Sequence, residues 1–245
     1  MKECSKSIAR RLADSRFARR YFVGDGVDIG GKPDPLALYA EFFPLMGSVR
    51  VWDLEDGDAQ VMAGVADGHF DFVHSSHCLE HLNDARAGLA TWLRVLRPGG
   101  HLIVTVPDED LYEQGQFPST FNLGHLWTFT IHKTRSWSAK SINLLDLVRE
   151  LGPEAEVVKL ERLDSTYRYD LPRFDQTTTP VGECGIELII RRALPEECAA
   201  GSARLPRAAQ PGADLRVHFN QYRDDLQTLK AANRSKSPFS NDTPL

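Results

Sequence analysis

Three short stretches carry side chains whose types and spacing could do chemistry. The first, Asp28-Ile29-Gly30-Gly31, sets a carboxylate beside adjacent glycines. Glycines let the backbone pass close to a bound ligand, and Asp28 can hold nearby amides or accept from a ligand amine. An ordinary tight turn would look the same. The second, Asp53 with Asp58-Ala59 behind it, offers an acid able to accept both hydroxyls of a ribose, then an Asp and a backbone amide for an adenine edge. An acidic turn capped by Gly57 is the alternative. In the third, His77-Cys78-Leu79-Glu80-His81, two histidines stand four apart around a glutamate. This invites a metal reading, but the order is not H-E-x-x-H, and no metal ligand is assigned. Farther on, His125 and His132 have the side chain whose ordinary pKa suits proton transfer near neutral pH, although each could equally be packed against a carbonyl.

These residues need strands that end where they begin. From Val27 onward short apolar runs alternate with amphipathic segments, the pattern of a parallel sheet covered by helices. Strands are predicted at Val27–Gly30, Val49–Leu54, Phe70–Ser75, His101–Pro107, Glu156–Leu163 and Ile186–Arg192. Helices are predicted near Pro35–Met46, Asp84–Leu96 and Ser138–Leu151. Leu89, Trp92, Leu93 and Leu96 form one apolar face of the second helix, and Pro98-Gly99-Gly100 ends it. Open parallel sheets bind ligands at the carboxyl ends of their strands, which is where the first three stretches stand. Residues 109–137 show no clear strand but are rich in aromatic side chains, as are residues 164–183. Insertions of this kind are more often lids or binding loops than filler, and both are placed to shape one pocket.

The first 20 residues hold seven basic side chains against Glu3 and Asp14, so residues 1–23 are expected to form a basic, solvated helix lying across the domain. Residues 24–194 are expected to make the main α/β domain. Residues 195–245 are expected to be a linker, a short amphipathic helix over 215–229 that packs back or makes a homodimer contact, and a disordered tail. The net charge of −5 over 245 residues lacks the basic excess that nucleic acid demands. Four scattered cysteines, Cys4, Cys78, Cys184 and Cys198, signal neither a zinc site nor a disulfide framework and suit a cytoplasmic location. No apolar run approaches the roughly 20 residues of a membrane span.

Phe70-Asp71-Phe72-Val73, then Leu79-Glu80-His81-Leu82, then Leu96-Arg97-Pro98-Gly99-Gly100, with Asp58-Ala59 ahead of them, resemble the central block of class I S-adenosylmethionine-dependent methyltransferases of the type 11 kind. The resemblance covers residues 24–108 in detail and extends by order of elements to about residue 193. It implies a Rossmann-like, doubly wound, mostly parallel α/β sheet of six or seven strands. The last strand, at Cys184–Arg192, would be antiparallel, and an inserted lid and a C-terminal extension would complete the chain. It also implies S-adenosyl-L-methionine as cofactor and S-adenosyl-L-homocysteine as product. Asp28, Gly30 and Gly31 would surround the methionine part, Asp53 the ribose, and Asp58 and Ala59 the adenine, with His77 and Leu79 beside the sulfonium. Two departures stand out. Lys32 and Asp34 occupy the second and third glycine positions of the usual G-x-G-x-G. Only about 17 residues separate Asp53 from Phe70, where the family fits a helix and a strand, so one strand is missing or merged.

Methyl transfer is an in-line displacement at a sulfonium carbon, in which positioning supplies much of the catalysis and a base is needed only if the acceptor starts protonated. The expected reaction is O-methylation of a polar small molecule or saccharide, with His125 or His132 as base. A divalent metal at Asp108, Glu109 or Asp110 with one of these histidines suits such chemistry but is not predicted. The rival readings are a nicotinamide-dependent oxidoreductase, for which G-x-G-x-x-G and Tyr-x-x-x-Lys are lacking, and a non-catalytic cofactor-binding or scaffold protein.

Overall fold

A computed structural model of the chain describes residues 3–201, so the helix expected over 215–229, its dimer contact and the tail lie outside the described residues. The strands are β1 (Gly24–Ile29), β2 (Met46–Trp52), β3 (Phe70–Ser76), β4 (Leu96–Pro107), β5 (Thr128–Thr130), β6 (Ser141–Asn143), β7 (Ala155–Leu163) and β8 (Gly185–Arg192). The α-helices are α1 (Glu3–Ala13), α2 (Ala85–Val95), α3 (Leu144–Glu150) and α4 (Pro195–Ala199). Six strands form one sheet in the order β2-β1-β3-β4-β8-β7, and β5 pairs with β6 apart from it. β1 to β4 run parallel, while β8 is antiparallel to both its neighbours. This is the Rossmann-like arrangement, one strand short. After β2 the chain makes only a short 3-10 turn, Leu54–Asp56, before β3, which leaves β2 on the sheet edge.

Successive residues of a strand point to opposite faces, and the core divides accordingly. Val73, Leu102, Val104, Leu188 and Ile190 face α2 and α3, whereas Phe72, Ile103 and Ile189 face α1 and the aromatic turn Phe17–Phe22. Asp84 caps α2 by accepting from the backbone N–H groups of Arg86 and Ala87, and Leu89, Trp92 and Leu93 turn inward. The Trp92 indole N–H donates to the Ala59 carbonyl at 3.0 Å, which fixes the loop behind β2.

Several expectations need correction. The helix over Pro35–Met46 is a 3-10 helix, Leu36–Phe42, because Phe43 precedes a proline and Met46 already pairs with Gly24 in the sheet. The helix over Ser138–Leu151 begins only at Leu144; Asn143 caps it, and Ser141–Asn143 is spent as β6. The partner of β6, β5, lies inside 109–137, where no strand was evident. Leu96–Gly100 belong to β4, since Leu96 pairs with Phe70. The start of the expected linker folds as α4, with its N-terminal backbone tied to Glu197.

The basic face of α1 is turned inward rather than solvated. Glu187 on β8 is fully buried, and a buried carboxylate requires cations. Arg10 and Lys159 reach its Oε1 at 2.7 and 2.9 Å, and Arg11, itself 1% exposed, lies 3.4 Å from Oε2. Burial alone would push this carboxyl up; Arg11, Arg10 and Lys159 overcome it and hold it at about 2. Its contribution to stability is therefore complete above about pH 4.5, its ordinary value, and is lost as the pH falls toward 2. Glu187→Gln strands the buried Arg11 and is expected to cost about 3–5 kcal/mol. Urea titrations should show a lower midpoint at pH 7 and a shallower loss of stability between pH 4.5 and 2 than in the native chain.

Candidate active site

Two cavities meet at the carboxyl ends of β1, β2 and β3. The first, of about 190 Å³, lies between the turn after β1, the turn after β3 and the aromatic insertion; α1 and Thr177 close its rim. The second, of about 410 Å³, is lined by Asp53, Asp58, Ala59 and Cys78 among others. Gly30 and His81 line both.

Asp28 sets the turn after β1. It is 1% exposed and stands opposite His74 of β3, whose Nδ1–H donates to Oδ1 at 2.6 Å; Oδ2 accepts from the Leu36 backbone N–H at 2.7 Å. Burial holds the His74 pKa below its ordinary value despite Asp28, which favours the neutral imidazole. Asp28 thus lines the first cavity with both oxygens already engaged. Gly30, at φ +72°, turns the chain where an added Cβ would come within 2.8 Å of the Cys78 Cβ, and a Cβ on Gly31 would strike the Asp28 carboxylate.

The altered glycine motif has its own bonding. The Lys32 backbone N–H donates to Asp53 Oδ2 at 3.1 Å, and the Lys32 side chain pairs with Glu55. Asp34 accepts from the Ser5 N–H and the Tyr39 hydroxyl, which ties α1 to this loop. Asp53 Oδ1 accepts from the Leu54 N–H at 2.8 Å, so each oxygen retains acceptor capacity toward the second cavity.

After β3 the chain turns at His77, which has φ +54° and whose N–H donates to the Thr105 carbonyl at 2.9 Å. His77 Nδ1 lies 3.2 Å from Glu80 Oε1, and Nε2 lies 3.8 Å from Glu3 Oε2. Burial alone would depress the His77 pKa, but Glu80 and then Glu3 raise it. Glu80 is fully buried, and neither of its oxygens receives a well-directed hydrogen bond. Burial works to raise its pKa, yet His77, His125 and His81 prevail and keep it an anion.

Two further imidazoles converge on this carboxylate. His81 Nδ1 lies 2.8 Å from the Gly124 carbonyl, and His125 Nδ1 lies 2.7 Å from Glu113 Oε1. A carbonyl and a carboxylate only accept, so both Nδ1 atoms carry a proton and Nε2 is the ring nitrogen left to each. His125 Nε2 is 3.9 Å from Glu80 Oε1. Tyr112 lies beside the His125 ring, with centroids 5.0 Å apart.

Of the residues singled out in the sequence, Asp28, Gly30, Gly31, His77 and His125 meet at the first cavity and Asp53, Asp58 and Ala59 at the second. Leu79 is instead a core residue, and His132 is exposed and lines neither cavity. The acids after β4 are spent structurally: Glu109 accepts from Lys133, Ser136, Ser141 and Thr128, and Asp110 from Lys133 and Trp137. Asp108 caps the turn that follows, and burial raises its pKa to about 6. Sequence reasoning gave no role to Glu80, Glu113, Glu3 or Thr177. Only Glu80 carried a signal, its place between histidines.

A family model described as a methyltransferase domain matches residues 8–148, more than half of the chain. The chain belongs to that methyltransferase family. Together with the sheet order, this makes the protein a class I, S-adenosylmethionine-dependent methyltransferase. No protein of curated function matches its sequence. Among solved structures, the methyltransferase is similar to an S-adenosylmethionine-dependent methyltransferase from Archaeoglobus fulgidus, at 16% identity and TM-score 0.48 over 78% of this chain and 95% of that one. It is also similar to phosphoethanolamine N-methyltransferase 2 of Haemonchus contortus in complex with S-adenosyl-L-methionine, at 15% identity and TM-score 0.45 over 76% and 53%. An O-methyltransferase family protein from Burkholderia thailandensis matches at 16% identity and TM-score 0.44 over 77% and 55%. Among the described residues, no helix is long and apolar enough to cross a membrane.

The steric argument at Gly31 is testable without a substrate. Gly31→Ala forces the Asp28 carboxylate off Leu36 or His74 and is expected to cost about 1–3 kcal/mol, the range for overpacking. A melting temperature unchanged from the native protein would refute that packing.

Proposed function

We propose that this methyltransferase methylates an oxygen of a polar small molecule or saccharide, with the acceptor seated in the first cavity and the donor's nucleoside in the second. The observation that carries this reading is His125 in the cavity wall, with the buried Glu113 bonded to it from behind. A hydroxyl, unlike a neutral amine, must lose a proton, and His125, held through Nδ1 by Glu113, is an imidazole in the cavity wall suited to take it.

The residues present suit S-adenosyl-L-methionine. Asp53 would hold the ribose hydroxyls with its remaining acceptor capacity, Asp58 and Ala59 would take the adenine, and Gly30, Gly31 and His77 would take the amino-acid end near the sulfonium. When bound, the donor supplies a methyl group on a positively charged sulfur. The protein's own residues do the rest. Glu113 fixes the His125 tautomer so that Nε2 can ready the acceptor hydroxyl, Asp28 holds the glycine turn open, and the aromatic insertion limits water around the acceptor. His132, exposed and lining neither cavity, has no part in this scheme.

Calorimetric titration with S-adenosyl-L-homocysteine tests the donor half: Asp53→Ala should weaken binding by about 1–3 kcal/mol, the worth of a hydrogen bond to a charged group. For the acceptor half, His125→Ala should lower kcat by roughly 10²–10⁴-fold while leaving the affinity for S-adenosyl-L-homocysteine intact. Donor labelled with ¹³C in its methyl group, supplied with hydroxylated and aminated candidates, identifies the methylated atom by NMR. A label found on nitrogen would overturn the O-methylation reading.

A further inference from the structure

We propose that Glu80, His81 and His125 hold a divalent first-row transition-metal ion in the wall of the first cavity. One donor atom from each lies within 4.8 Å of the others. Bonds of about 2.0–2.2 Å to a single ion, at the roughly 90–110° angles of ligands on one side of it, put donors about 3.0–3.5 Å apart, so closing the set takes side-chain movement of up to about 1.5 Å. His81 is exposed and has room to make it.

Two independent observations mark this as a built site rather than a chance cluster. The Glu80 carboxylate is fully buried and faces the cavity, with no well-directed hydrogen bond to either oxygen, and such a group demands a charge partner. His77 attracts it from 3.2 Å but off the hydrogen-bonding line. The second observation lies behind the ligands. Both Nδ1–H groups are already committed, one to the Gly124 carbonyl and one to the buried Glu113 carboxylate, which leaves Nε2 as the ligating atom of each ring. A carboxylate or carbonyl behind each ligating imidazole is the usual support of a metal centre. Two imidazoles and one carboxylate on one side, with open positions on the other, suit Mn²⁺, Fe²⁺ or Zn²⁺ better than Mg²⁺ or Ca²⁺, which prefer oxygen.

The site stands without reference to catalysis; its role rests on the O-methylation reading. There His125, as a ligand, no longer serves as the base; the ion replaces it by lowering the pKa of the acceptor hydroxyl. The proton leaves to water, the oxygen's electron pair forms the new O–C bond, and the C–S pair withdraws onto sulfur. The products are a methyl ether and S-adenosyl-L-homocysteine.

The test is a titration of the full chain with Mn²⁺, without donor or acceptor, followed by electron paramagnetic resonance. One ion per chain is expected, with ¹⁴N coupling from two imidazoles. Glu80→Gln should weaken binding at least tenfold, and His81→Ala, at an exposed position that leaves the fold intact, should remove one nitrogen from the spectrum. Glu113→Gln should weaken binding roughly 10–100-fold, whereas a merely structural Glu113 would leave the Mn²⁺ affinity unmoved. Circular dichroism and S-adenosyl-L-homocysteine affinity establish that each variant is folded. The site is overturned if the native chain takes up no Mn²⁺, or if folded Glu80→Gln and His81→Ala bind it like the native chain. Stoichiometric Mn²⁺ binding with methyl found on nitrogen would sink the O-methylation reading and leave the site standing. Full-rate ether formation in EDTA would remove the ion's catalytic role.

Discussion

The buried pair of Asp28 and His74 decides where the ligand-binding end of this fold can be. It joins β1 to β3 at their carboxyl ends, and through Leu36 it also dictates the path of the chain leaving β1. Because the carboxylate fills the space beside the turn, position 31 has no room for a side chain, and Gly30 is pressed against Cys78 of the next turn. The floor shared by the two cavities follows from these contacts. A buried side chain with one oxygen bonded to His74 and the other to the Leu36 N–H has few alternative arrangements, so the floor is set before any ligand arrives.

How much of this was legible in the sequence depended on how local its cause was. The six strands of the main sheet could be read because each is an apolar run bounded by turn residues, and alternation within Phe70–Ser76 even separates the two faces. The missing strand could be read as a shortage of residues between Asp53 and Phe70. Helix ends were less visible, since at Phe43 and Asn143 a following proline or a cap overrules the apolar period. Charge partners were invisible. The basic composition of α1 was plain, but nothing near it in sequence says that Arg10 and Arg11 answer a carboxylate on β8. Likewise His125 and His132 are alike as letters. Only the folding of the insertion puts one beside Glu113 and the other in solvent.

The same limit explains why Glu80 gave no sign of its surroundings. As the glutamate of Leu-Glu-His-Leu it has a motif position, and that position says nothing of burial. Its isolation from water comes from the 109–137 insertion crossing over the turn after β3, a contact between distant parts of the chain. The shortened region between β2 and β3 has the opposite effect. Asp53, Asp58 and exposed Leu54 lie near a bare sheet edge, so the second cavity has one wall fewer than a seven-stranded sheet would give it.

The stitching between the insertion and that turn has a mechanical consequence. The Leu126 N–H donates to the Glu80 carbonyl, His81 donates to Gly124, and the Trp127 indole donates to the Leu82 carbonyl, all within 2.9 Å. These three bonds make residues 79–82 and 124–127 one rigid piece. The backbone at His125 therefore keeps its distance from that at Glu80 and His81 whatever the remainder of the insertion does, and only side-chain rotation changes how their donor atoms meet. A cavity built this way is a cup rather than a jaw: its ordering entropy is spent in folding instead of binding, so it accepts a narrower range of guests and holds the right one with less loss.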